Sequence, residues 1–112
     1  MIKIEFLVKA DNIDKICGVK VSGHSGYADE GSDIVCSAVS SALIMSINTI
    51  TDIVCAKAYV ESNVGRAELI LDDDNPQDKI LICDKILLGL RIHFLEMEKQ
   101  YSEFMNVKNT EV

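Results

Sequence analysis

No run of apolar residues in this chain approaches the ~20 that a membrane-crossing helix requires, although 48% of the residues are hydrophobic. That absence leads us to expect a soluble protein. The four cysteines, at positions 17, 36, 55 and 83, form no Cys-x-x-Cys and no close pair. Neither a disulfide framework nor a common zinc site is suggested, and a reducing compartment fits. Basic residues are scarce, with 11 Lys and Arg against 18 Asp and Glu and a formal charge of -7. Phosphate binding rests on clustered Lys and Arg, so this balance argues against nucleic acid as the principal partner and permits a basic peptide. The three carboxylates Asp72, Asp73 and Asp74 lack the Asp-x-Asp-x-Asp-Gly spacing of a calcium loop and read as a solvated turn, so no metal is expected. Internal repeats and long linkers are missing too. In place of a basic-then-apolar leader, Met1-Ile2-Lys3-Ile4-Glu5-Phe6 alternates from the start as a strand does. We expect one cytoplasmic domain over residues 1–112.

What is present is a glycine-punctuated loop, Gly23 to Ser32, that runs straight into an apolar helix. His24 stands at the loop entrance and Cys36 one turn inside the helix, so a folded-back loop brings imidazole and thiol together. The thiolate is the nucleophilic form, and a free thiol ionises only near pH ~8.5. Helix first-turn N–H groups carry about half a positive charge, and with a neighbouring imidazolium they favour the anion on Cys36. Gly23, Gly26 and Gly31 give the loop backbone freedom, and Ser32 or Asp33 is the N-cap. Free amides of the first helical turn, or loop amides between Gly26 and Gly31, are the candidate oxyanion donors. Ser25, Gly26, Tyr27, Gly31 and Ser32 form the expected substrate loop. Gly23 is its hinge, and residues 23 to 32 are expected to order over a bound peptide.

Along the rest of the chain, Ile2, Ile4, Phe6 and Val8 share one strand face, and Asp11-Asn12 supplies a turn. A second strand over about 15–23 places Cys17, Val19 and Val21 on one face, with Gly18 marking a bulge or a close backbone approach. A helix over about 34–55 is apolar on more than one side, and the small residues Ser37, Ala38, Ser40, Ser41, Ala42 and Ser46 suit close packing. Strands over about 57–63 and 66–71 flank a turn at Asn63-Val64-Gly65. Asn75 caps a second helix, about 76–101, with Pro76 at its first position, and a last edge strand falls at about 103–108. Cys17, Cys55 and Cys83 lie in apolar neighbourhoods and are expected to be structural, and His93 to be a helix-surface or core histidine. The fold class is α+β: about five short strands and two long helices, the helices sandwiched between sheet layers, covered by a dimer partner, or both.

The stretch Gly23-His24-Ser25-Gly26-Tyr27-Ala28 followed by Gly31-Ser32-Asp33-Ile34-Val35-Cys36-Ser37-Ala38-Val39-Ser40 closely resembles the motif of the ribosomal-processing cysteine protease family, Prp. Ser25 and Ser37 replace alanines of that motif. The resemblance extends over the chain, including a second long helix with Leu87-Leu88-Gly89-Leu90. It implies a homodimeric endopeptidase that removes an N-terminal extension from ribosomal large-subunit protein twenty-seven, and it needs no cofactor. It places His24 and Cys36 at the catalytic positions and Asp33 where a helper carboxylate is proposed.

Two other functions fit the same residues. A thiol at a helix terminus also suits a redox sensor, although no resolving cysteine stands in the motif. An acidic surface that holds a basic tail suits a non-enzymatic ribosome-assembly factor.

Overall fold

Alternation at the amino end produces the central strands. Strand β1 (Ile2–Lys9) pairs with β2 (Asn12–Ser22) as an antiparallel hairpin, Ile4 opposite Val21 and Phe6 opposite Val19. The computed structural model describes residues 1–29 and 33–112. After β2 come the helix α1 (Ile34–Asn48), which continues as a wider π turn (Thr49–Ile53), then β3 (Ala58–Asn63), β4 (Arg66–Leu71), α2 (Gln77–Gln100) and β5 (Met105–Glu111). The five strands form one sheet in the order β3-β4-β2-β1-β5, with β5 parallel to β1 and every other pairing antiparallel.

The crossovers explain where the helices lie. The first runs from β2 to β3 and the second from β4 to β5, in opposite directions across the sheet and from strands that point opposite ways. A single handedness therefore puts both helices on the same face. Ile4, Phe6, Val19 and Leu69 from the sheet share one core with Val35, Val39 and Leu43 of α1 and with Leu87 and Phe94 of α2. Each fully buried aliphatic side chain contributes about 1.5–3 kcal/mol, so this shared core docks both helices firmly. The other sheet face carries a charged ladder, in which the register sets Glu5 opposite Lys20 and Lys108 and Lys20 opposite Glu68. No second sheet is formed among the described residues, so sheet covers the helices on one side only. On their other side Ile44, Met45, Ile53 and Ile92 are exposed.

By length and composition the run Ile34–Ile53, with mean hydropathy 1.7, is apolar enough to cross a membrane. It is not an unbroken apolar run, because Ser37, Ser40, Ser41 and Ser46 interrupt it. Here Val35, Val39, Leu43 and Ile50 seat it on the sheet. Hydroxyls before and within the π turn reach back four residues, Ser46 to the Ala42 carbonyl (3.0 Å), Thr49 to Met45 (2.8 Å) and Thr51 to Ile47 (3.0 Å). Such back-bonding competes with the helix ladder and bends it.

Three local expectations are corrected. Cys17 does not share the core face with Val19: the pairing jumps from Leu7 opposite Gly18 to Val8 opposite Ile16, so Cys17 is the extra residue of a bulge and Ile16 is buried in its place. Gly18 also meets a close approach, since a Cβ there lies 2.6 Å from the Leu69 carbonyl oxygen. Asn75 does not cap α2. Pro76 is the N-cap residue, while the Asn75 side chain bonds the Lys57 N–H and carbonyl, each at 2.7 Å, and so ties the β3 entrance to the turn before α2. Cys55 is exposed, not apolar-packed, and holds a left-handed φ of 59° where the first helix ends. Cys83 is buried as expected, and His93 lies exposed on α2.

Candidate active site

The site is assembled where β2 ends, where α1 begins, and at the β3–β4 turn. Because β2 pairs with β4, Ser22 sits opposite Arg66, and the β3–β4 turn is carried to the mouth of the loop that starts at Gly23. Gly23 adopts φ 85° and donates its N–H to the Gly65 carbonyl oxygen (2.9 Å). A Cβ on Gly23 lies 2.5 Å from the Met1 carbonyl oxygen, so the expected hinge is wedged between the chain start and the hairpin. His24 follows, with its ring over Gly65: a Cβ on Gly65 lies 3.2 Å from Nε2 of His24.

Of the two candidate caps, Asp33 is the N-cap residue; Ser32, like Gly31, lies outside the described residues. Its Oδ1 accepts from the N–H groups of Val35 and Cys36, both at 3.0 Å, the second and third helical positions that a cap serves. Its Oδ2 accepts from the Ser25 hydroxyl. Ser25 is buried, its Oγ accepts from the Tyr27 N–H (3.0 Å), and its own N–H donates to the Cys36 Sγ (3.4 Å). Burial pushes the Asp33 carboxyl up, but hydrogen bonds from Ser25, Cys36 and Val35 outweigh it and hold the group below the usual carboxylate range.

These bonds narrow the choice of oxyanion donors. The N–H groups of Val35 and Cys36 are taken by the Asp33 side chain and that of Ser37 by the Asp33 carbonyl oxygen (3.1 Å). Most first-turn amides are therefore occupied, and the loop amide aimed at the sulfur is that of Ser25, one residue before the Gly26–Gly31 segment expected to supply it.

His24, Asp33 and Cys36 line one cleft of about 560 Å³, bounded by α1 on one side and the β3–β4 turn on the other. Among the described residues no hydrogen bond joins His24 to Cys36 or to Asp33. Cys36 is half-buried and His24 exposed, so both are reachable from solvent. The floor of the cleft is apolar, with Val39, Leu43 and Ile47 from α1, and its rim carries Ser62 and Asn63. Tyr27 leaves the loop in the other direction and packs edge-on against Phe104 (5.2 Å) and Tyr101 (6.0 Å) after α2. Among the described residues no cluster of His, Cys, Asp and Glu suits a metal ion. Chemically, the arrangement presents a thiol with an N–H donor on its sulfur, and an imidazole across an open cleft with an extended apolar floor.

Gly65, Tyr101 and Phe104 were not foreseen as parts of the site. The turn at Asn63-Val64-Gly65 was legible as a turn, but only the β2–β4 pairing brings it to His24.

The sequence profile of the family described as cysteine protease Prp matches residues 1–106. A ribosomal processing cysteine protease Prp of Staphylococcus aureus is 27% identical over 105 residues, which cover 92% of this chain and 93% of that protein. Two crystal structures of the S. aureus protease share the fold. The one with a covalently linked product peptide has a TM-score of 0.82 at 23% identity, and the one with a substrate peptide has 0.77 at 22%, each covering 98% of this chain and 100% of the other.

Proposed function

Because the chain belongs to the cysteine protease Prp family, we propose that it cleaves peptides with Cys36 as nucleophile and His24 as general base and acid. The observation that carries this reading is the shared cleft, with the thiol at the start of α1 and the imidazole on the loop that folds over it. His24 takes the Cys36 proton, and the thiolate attacks the scissile carbonyl carbon. The tetrahedral intermediate collapses to a thioester as the C–N bond breaks, and His24 returns the proton to the leaving amine. Water, deprotonated by His24, then hydrolyses the thioester and restores the thiol. Asp33 acts as helix cap and loop anchor, since both its oxygens are bonded to groups other than the imidazole.

The substrate we propose is the N-terminal extension of ribosomal large-subunit protein twenty-seven. Support comes from the S. aureus relative, a ribosomal processing protease, and from the chain's charge of -7, which suits a basic tail. A homodimer in the cytoplasm completes the reading. Its support is the uncovered apolar side of the helices, where Met45 is 68% and Ile53 77% exposed.

Incubating the purified protein with a peptide that spans such an extension tests the proposal. Cleavage at one bond, lost in Cys36→Ala, is expected. A peroxide-dependent adduct on Cys36 without cleavage favours the redox sensor, and binding without cleavage favours the assembly factor.

A further inference from the structure

We propose that Ser25 is a positioning residue for the cleavage step: its hydroxyl clamps the loop to Asp33 and thereby fixes its own main-chain N–H against the Cys36 sulfur. The inference rests on Cys36 being the nucleophile.

Four bonds converge on these three residues. The Ser25 hydroxyl donates to Asp33 Oδ2 and accepts from the Tyr27 N–H, while Asp33 Oδ1 holds the Cys36 N–H and the Ser25 N–H meets the Cys36 Sγ. The Ser25 side chain thus joins the end of β2 to the first turn of α1 through a carboxylate that is itself fixed by the helix. At 3% exposure Ser25 is shielded from water, so the hydroxyl has no competing solvent partner, and a hydrogen bond to a charged acceptor in such a place is among the stronger ones. Alanine, which stands here in the family motif given above, has no oxygen to make this link. The clamp belongs to this chain's own sequence.

The consequence is chemical because of where the N–H points. A donor at 3.4 Å from the sulfur stabilises the thiolate before attack. Once the sulfur is bonded to the substrate carbon, the developing oxyanion stands two bonds from that sulfur and within hydrogen-bonding reach of the same donor, where a preorganised N–H acts most strongly. The first-turn amides bonded to Asp33 are not free for that task. A loosened loop therefore costs rate more than substrate affinity.

The test is a cycle of Ser25→Ala, Asp33→Asn and the double variant, with kcat and KM for peptide cleavage measured well below each variant's melting temperature. We expect Ser25→Ala to lower kcat about fivefold with KM changed less than twofold, and Asp33→Asn to lower it similarly. The double variant should fall no more than twofold below the weaker single variant, because both changes break one link. A Ser25→Ala enzyme with unchanged kcat, a change confined to KM, or losses that multiply in the double variant would each overturn the inference. Cys36→Ala run beside them separates the two levels. If that variant still cleaves, the assignment of the nucleophile fails; if it is inactive while Ser25→Ala matches the parent, only the role of Ser25 fails.

Discussion

Gly65 sits under the ring of His24 so closely that a Cβ on Gly65 lies 3.2 Å from Nε2. Gly26, in the same loop as His24, has nearly the same φ, 74° against 75°, but among the described residues a Cβ there meets nothing within 4 Å. The left-handed conformation costs an alanine about 1–2 kcal/mol at either position. Gly26→Ala should therefore lose about that much stability. Gly65→Ala should lose the same and, by displacing the imidazole, lower kcat/KM by roughly tenfold or more. Thermal unfolding and peptide kinetics on the two variants check this, and equal kinetics in both would remove the hairpin from the site.

Asp33 gives a prediction in pH. Its folded-state pKa lies below the unfolded value, so its contribution to stability is present above about pH 4 and is lost as pH falls through the folded value. Asn retains the cap and never ionises. The stability advantage of the parent over Asp33→Asn should then shrink as pH is lowered from 6 toward 3, which denaturant titrations read directly. In turnover Asp33→Asn should lose less than tenfold. A hundredfold loss, about 2.7 kcal/mol, would make the charge itself part of catalysis.

The strands and the chemistry-bearing loop were legible because their signals are local. Alternation in Ile2, Ile4, Phe6 and Val8 marks a half-buried strand, and the spacing of His24, Asp33 and Cys36 sits within one stretch of chain. Other features depend on contacts that no local pattern encodes. The bulge that hands the core position from Cys17 to Ile16 is a matter of register against β1. Asn75 looked like a cap because its residue type suits one, but its amide found two backbone partners at Lys57. Cys55 reads as apolar beside Ile53 and Val54, yet the chain turns left-handed there and leaves it in solvent. The choice between Ser32 and Asp33 as cap was open because both residue types cap well.

The four thiols should separate by environment. Burial pushes the thiols of Cys17 and Cys83 up, and Cys17 also donates to the Leu7 carbonyl oxygen at 3.3 Å, so both should resist alkylation. Cys55 is exposed and competes with Cys36 for reagent, although its apolar sequence neighbours suggest a packed thiol. Limiting iodoacetamide at pH 6.5, mapped by mass spectrometry, should label Cys36 first through its N–H donor, then Cys55, and leave Cys17 and Cys83 nearly untouched. Even labelling of all four in folded protein would contradict this order.

Peptide binding should order only part of the loop. The Tyr27 N–H is already bonded to Ser25, whereas among the described residues no hydrogen bond holds the N–H of Ala28 or Asp29. Hydrogen exchange should slow most at Ala28 and Asp29 when peptide is added to Cys36→Ala protein, and least at Tyr27. Exchange at Ala28 and Asp29 as slow as in the middle of α1 before peptide is added would mean that the whole loop is preformed.

The central claim, acyl transfer to Cys36, is tested most directly by quenching the enzyme in acid during turnover of a ribosomal-extension peptide and weighing the intact protein and its fragments. The account predicts a mass increase equal to the N-terminal peptide product less one water, carried on the fragment that contains Cys36 and removed by hydroxylamine. Steady cleavage by a Cys36→Ala enzyme prepared and quenched in the same way would contradict it.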